Sequence, residues 1–254
     1  MLVAITRAVS PSLGACELTW LPRQEIDVAK AIAQHHAYER ALAELGADVI
    51  SLPALPDHPD AVFVEDPALV LDEVAVITPM GVGSRRGERE SLAEALARFR
   101  PVIRMRDPAK LEGGDVMRIG RDLYAGLSDR TDRGGVAQLA EHLGPFGYRV
   151  HAVELRGCLH LKSACCVIGD GTVLLNRAWL DSSLLGGYRL IDVAPDEPAA
   201  ANALRIGDAV LMPDVYPATA EILRRAGFRV RTLDLSELLK AESGVTCSSL
   251  IFET

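Results

Sequence analysis

Apolar residues three and four apart predict amphipathic helices over residues 26–45, 88–99, 134–143 and 218–226. The chain does much the same thing after each. Leu45-Gly46-Ala47-Asp48-Val49-Ile50, Phe99-Arg100-Pro101-Val102-Ile103, Phe146-Gly147-Tyr148-Arg149-Val150 and Ala226-Gly227-Phe228-Arg229-Val230 read as a helix stop, usually at glycine, running into a short β-branched strand. Residues 68–78, 115–125, 163–175 and 203–212 between these units read as hairpins. Gly120-Arg121-Asp122 and Gly169-Asp170-Gly171 are their clearest turns, since glycine and aspartate tolerate the dihedrals a tight turn needs. The resulting unit, strand-turn-strand-helix-strand, recurs about every 45 residues and exhausts the chain in roughly five copies. No linker or low-complexity tract interrupts it, so a single domain over residues 1–254 is expected, built as a closed α/β propeller with five-fold pseudosymmetry rather than an open doubly wound sheet.

A ring brings equivalent positions of successive units to its axis. The residues leading into each hairpin are Asp66, Glu112, His160, Asn202 and Cys247, spaced 46, 48, 42 and 45 apart. Two carboxylates, an imidazole, an amide and a thiol are thereby predicted to share one cavity.

Composition narrows the function classes. The chain has 254 residues, 49% hydrophobic and 24% charged, as expected of a globular protein with a sizeable core. No stretch approaches the roughly 18–20 unbroken apolar residues of a membrane span, and the first residues lack the signal-peptide pattern. The expected location is therefore cytoplasmic, with no membrane partner. The net charge of −8, without runs of Lys and Arg, argues against a nucleic-acid partner and suits a small cationic ligand. Five cysteines without a Cys-x-x-Cys pair indicate neither a disulfide framework nor a zinc knuckle, and no metal or cofactor is expected. The sequence leaves open whether the chain works alone or as a homodimer.

Each candidate group has a structural reading beside the chemical one. A free cysteine is usually a small core residue, but Cys247, in Gly244-Val245-Thr246-Cys247-Ser248, shares its register with His160, and a neighbouring base or cation makes a thiol a useful nucleophile. Cys165 and Cys166 lack that register and are expected in the core. His160, ahead of an apolar strand, suits general acid and base work near neutral pH. In Leu111-Glu112-Gly113-Gly114-Asp115 the two glycines let the backbone approach whatever the carboxylate holds. Glu65 and Asp66 lie within an apolar run, where burying charge is costly unless a cation such as a guanidinium compensates. Gly81-Val82-Gly83-Ser84-Arg85-Arg86-Gly87 lacks the spacing and Lys-Ser/Thr ending of a phosphate loop. Its Arg85 is one of several loop arginines suited to a substrate carboxylate.

Four segments carry a family resemblance. Leu111-Glu112-Gly113-Gly114-Asp115-Val116, Gly126-Leu127-Ser128-Asp129-Arg130-Thr131, Leu159-His160-Leu161-Lys162-Ser163 and the stretch from Leu239-Lys240-Ala241 to Thr246-Cys247 are specific in order and spacing. The chain resembles the dimethylarginine dimethylaminohydrolases of the guanidine-modifying pentein superfamily from Val3 to its C-terminus. The resemblance implies a pentein propeller that hydrolyses Nω-methylated arginines to citrulline and an amine through a covalent thiouronium on cysteine. It implies Cys247 as nucleophile, His160 as general acid and base, and Glu112 holding both the guanidinium and the histidine. It further implies Asp60 and Asp66 as guanidinium ligands, Arg85 and Arg130 as partners of the substrate carboxylate, Leu18 as part of a mobile lid, and the Ala241 main chain facing the α-amino group. The alternatives are an arginine deiminase-like or amidinotransferase chemistry, and a non-catalytic binding protein of the same architecture.

Overall fold

The structure is a computed structural model that describes residues 1–169 and 171–254, so the centre of the expected turn at Asp170 lies outside the described residues. The four amphipathic patterns form α1 (Val28–Glu44), α2 (Arg89–Leu96), α3 (Arg133–Leu143) and α5 (Pro217–Arg225), with one-turn helices α4 (Leu161–Ala164) and α6 (Ser236–Leu239). Local chemistry sets their ends. Asp27 caps α1 by accepting the Lys30 N–H at 3.0 Å, and Asp132 caps α3 by accepting the Gly135 N–H at 2.7 Å. Gly46, Gly147 and Gly227, just beyond the ends of helical segments, have φ of +97°, +81° and +96°, a region open to glycine at no steric cost.

The strands form five three-stranded sheets. The first joins the two ends of the chain: β1 (Leu2–Arg7) pairs antiparallel with β15 (Leu250–Glu253) and parallel with β2 (Asp48–Leu52). The others repeat that design as β3–β5 (Ala68–Val70, Ala75–Ile77, Val102–Arg104), β6–β8 (Val116–Ile119, Asp122–Leu127, Arg149–Glu154), β9–β11 (Cys165–Gly169, Thr172–Leu175, Arg189–Asp192) and β12–β14 (Leu204–Ile206, Ala209–Pro213, Arg229–Leu233). In each, a hairpin is followed by a crossover to a third strand parallel to the second. The fourth unit departs from the expected helix. Its crossover holds only a turn of 3-10 helix, Ser182–Leu185, started by the Asp181 carboxylate on the Ser183 N–H and followed at once by Gly186-Gly187.

The core is a ring of apolar seams between neighbouring sheets. Successive side chains of a strand point to opposite faces, and here each face meets a different neighbour. Val3 and Ile5 of β1 pack against Ala75 and Ile77, while Ala4 joins Ile206 and Leu211. Val173 and Leu175 of β10 pack with Met117 and Tyr124, while Leu174 joins Val210 and Met212. The seam of Leu69 and Val76 with Leu123 and Ala125 completes the circuit. A strand buried on both faces needs an unbroken apolar run, and β4, β10 and β13 are buried along their whole length. This is the expected five-fold α/β propeller. Cys165 and Cys166 are buried in it, as expected. No helix among the described residues is long and apolar enough to cross a membrane.

Candidate active site

Asp66, Glu112, His160, Asn202 and Cys247 each lie ahead of the antiparallel edge strand of a different sheet. The ring brings four of them to one cavity or its floor. Asp66, Glu112 and His160 place one polar atom each within 4.8 Å of one another, all buried, and Cys247, Asp66 and His160 line the cavity together with Asp60, Arg85, Arg130 and Ala241. Asn202 is different. Its amide bonds the Lys162 carbonyl, the Thr246 hydroxyl and the Thr246 N–H at 3.0–3.1 Å, so it braces the loop ahead of Cys247 and does not face the cavity.

Glu65 is the second correction. Its carboxylate receives Lys162 Nζ at 2.6 Å and the Thr246 hydroxyl at 2.7 Å, and it lines a separate cavity on the axis. Within the turn that leads into β3, Asp66 takes the site and Glu65 a plug behind it. Leu18 is half-buried against the apolar cluster that also touches Cys247, and its neighbour Glu17 lines the cavity instead.

His160 is fixed from three sides. Its Nε2 lies 2.9 Å from Glu112 Oε2, its Nδ1 3.9 Å from Asp66 Oδ1, and the following N–H, of Leu161, donates to Asp115 Oδ1 at 2.9 Å. Burial disfavours the imidazolium, but Asp66, Asp115 and Glu112 outweigh it and push the pKa up to about 9. Because the folded value lies above the unfolded one near 6.5, this group stabilises the fold fully below about pH 6.5, and the contribution disappears as pH rises through about 9. Urea midpoints are expected to fall across that window by roughly 2–3 kcal/mol of stability, and His160→Gln to remove the fall; an identical pH profile in the variant would refute the assignment.

Glu112 is fully buried. Its Oε1 accepts the Gly81 N–H at 3.0 Å and lies 3.6 Å from Arg130 Nη1. Asp66 receives Arg85 Nη1 at 2.7 Å and the Gly114 N–H at 3.2 Å. Burial raises its pKa, but His160 and Arg85 together hold it below the usual carboxylate range. The Gly113-Gly114 pair is sterically required. A Cβ on Gly114 would lie 2.7 Å from both Asp66 Oδ1 and His160 Nδ1, and one on Gly113 would lie 2.0 Å from the Glu65 carbonyl oxygen. Gly113→Ala is expected to cost about 3 kcal/mol of stability, because the clash is with backbone; an unchanged urea midpoint would contradict this packing.

Arg85 lines the cavity, and most of its guanidinium donors are taken. It donates to Asp66, to both oxygens of Glu88 at 2.9–3.0 Å, and to the carbonyls of Asp60 and Phe63 at 3.2 Å. It is the counter-ion of Asp66 and Glu88. Arg130 bonds the Thr19 hydroxyl at 2.9 Å and keeps a looser approach to Glu112. Ala241 spends its N–H on the Leu238 carbonyl, so only its own carbonyl is left for an amine. Asp60 accepts the Glu17 N–H at 3.1–3.3 Å, and burial raises its pKa despite Arg85.

Cys247 is partly exposed, whereas the other four cysteines are buried. Its Sγ accepts the Gly244 N–H at 3.2 Å. Burial and the negative charges of Glu65 and Asp66 push its pKa up, so the thiol is protonated at rest. An incoming cation would reverse that bias. The convergent Asp66, Glu112 and His160 atoms have the spacing of a metal site, but Arg85 and Arg130 already neutralise the two carboxylates in part, and planar N–H donors match them equally well. Glu17 and Phe63, which the sequence does not single out, complete the wall with Leu159, Glu242 and Ser243 of the segments that carry the resemblance.

The eukaryotic N,N dimethylarginine dimethylhydrolase family matches residues 18–182. The N(G),N(G)-dimethylarginine dimethylaminohydrolase of Pseudomonas aeruginosa is 38% identical over 228 residues, 89% of this chain and 90% of the relative. That of Streptomyces coelicolor is 38% identical over 248 residues, 97% of this chain and 95% of the relative. A solved structure of the Pseudomonas aeruginosa enzyme, a cysteine-to-serine mutant complexed with citrulline, superposes with a TM-score of 0.93 at 36% identity over 98% of both chains.

Proposed function

Since this chain belongs to the dimethylarginine dimethylaminohydrolase family, we propose that it hydrolyses asymmetric dimethylarginine and monomethylarginine to citrulline and dimethylamine or methylamine. The observation that carries the reading is the meeting of a partly exposed Cys247 and His160 in a cavity walled by Asp60 and Asp66, with Glu112 at its floor.

A guanidinium carbon is a poor electrophile because its charge is delocalised, so it must be held rigidly in line with a strong nucleophile. Asp60 and Asp66 hold the cation, and its charge offsets the carboxylates that keep Cys247 protonated. The thiol releases its proton to solvent, and the thiolate adds to the guanidinium carbon to give a tetrahedral adduct. Its C–N bond to the methylated nitrogen breaks as His160 delivers a proton to the departing amine. A thiouronium remains on Cys247. Water then adds to that carbon while neutral His160 takes one of its protons, and the C–S bond breaks to release thiolate and citrulline as the remaining hydroxyl proton passes to solvent. Glu112 keeps the imidazole oriented through both steps. His160 gives the proton to the leaving amine and takes one from the attacking water.

Asp66→Asn tests the cation-holding role. It removes the charge facing the guanidinium and leaves Arg85 without its partner, so kcat/KM is expected to fall about 100-fold, mainly through KM. A loss confined to kcat would point to chemistry instead. The test of function is incubation with asymmetric dimethylarginine, monomethylarginine and arginine in parallel, following citrulline and released amine. Turnover of the methylated substrates supports the proposal. Turnover of arginine alone would make the protein a deiminase, and no turnover would leave a binding protein.

A further inference from the structure

Residues 17–21 form a strap between two cavities. Glu17 lines the candidate site, Trp20 and Leu21 line an apolar neighbour, and Glu242 lines both. The strap is tied at three places. The Glu17 N–H donates to Asp60, and the Thr19 hydroxyl accepts from Arg130. The N–H groups of Thr19, Trp20 and Leu21 all converge on the Glu242 carboxylate, the first at 2.8 Å. Three consecutive main-chain donors on one anion form a concave nest, which an ordinary surface loop would leave to water.

Glu242 is held in an unfavourable conformation to make that contact. Its φ is +57°, uncommon for a residue other than glycine. The turn is fixed by the Glu242 N–H on the Leu239 carbonyl at 3.1 Å and by the Ser243 hydroxyl on the Leu238 carbonyl at 2.8 Å. The other two ties use Asp60 and Arg130, which face the cavity and would be drawn on by a bound ligand. The Glu242 tie runs to main chain only.

We propose that Glu242 is a positioning residue that latches residues 17–21 across the cavity mouth and thereby sets how tightly a cationic amino acid is retained. It takes no part in bond making. Because Glu242 precedes Cys247 on the same loop, the strap and the nucleophile are positioned by one turn of chain. The retention half of the inference rests on the proposed function; the latch itself does not.

Hydrogen exchange separates the two. The amides of Thr19, Trp20 and Leu21 are expected to exchange about tenfold faster in Glu242→Ala, with Glu242→Gln between it and the parent, since an amide oxygen still accepts but without the charge. Exchange elsewhere in the chain is expected to stay unchanged. Unaltered exchange at residues 19–21 in both variants would overturn the latch. In the kinetic arm, KM for a methylated arginine is expected to rise about tenfold with kcat within about threefold of the parent. Faster exchange with a fall in kcat and no change in KM would overturn retention and assign the turn to the thiol loop. A parent protein without turnover would refute the function while the exchange result still decides the latch.

Discussion

Cys247→Ser is expected to lower kcat for a methylated arginine by on the order of 10⁵-fold, with binding largely preserved. The hydroxyl is nearly the same size, and the Gly244 N–H that now meets Sγ at 3.2 Å keeps an acceptor. What changes is the acidity of the nucleophile. A bound cation can bring a thiol into range near neutral pH but leaves an alcohol far from ionised. The four other cysteines are buried, and burial pushes Cys158 and Cys166 up to about 12, so they offer no substitute. Assay of the purified variant with a citrulline readout checks this, and substantial residual turnover would remove Cys247 from the mechanism.

His160→Ala is expected to lower kcat by about 10³- to 10⁴-fold, because the same imidazole serves as acid in the first half-reaction and base in the second. The parent's pH profile carries a sharper consequence. With the thiol pKa above that of His160, which lies near 9, the resting protein holds both protons at neutral pH. The reactive form needs thiolate and imidazolium together and so has one proton fewer. kcat/KM should therefore climb about tenfold per pH unit up to roughly pH 9 and then level, since above it the free protein has the reactive form's proton count. A decline beginning near pH 9 would mean that the thiol ionises first, against the desolvation and the Glu65 and Asp66 charges that raise the Cys247 pKa.

The ring was legible because its sheets are buried on both faces. Strands such as Ala209–Pro213 read as unbroken apolar runs, and the five positions leading into the sheets fell in register. What remained illegible turns on single-residue steps and long separations. Sequence put Asp66 in the register and left its neighbour Glu65 as a further binding candidate, and only the folded turn shows Asp66 in the site and Glu65 on Lys162. The position of Asn202 in the register was right, but its amide turns toward Thr246. The occupation of Arg85 depends on Glu88 in the same turn, a local pair hidden by the choice of folding. The contact of Glu242 with residues 19–21 spans most of the chain, where no periodicity reports it. The missing helix of the fourth unit had a readable cause in Gly186-Gly187.

The most direct test of a thiolate attack finished by His160 uses S-methylthiocitrulline, whose thiolate leaving group departs without a proton donor. With the His160→Gly variant, attack proceeds while hydrolysis lacks its base, and the mass of the Cys247 peptide is read after acid quench. The account predicts a near-stoichiometric adduct on Cys247 and none in a Cys247→Ser, His160→Gly double variant. No adduct, or an adduct that persists in the double variant, would contradict it.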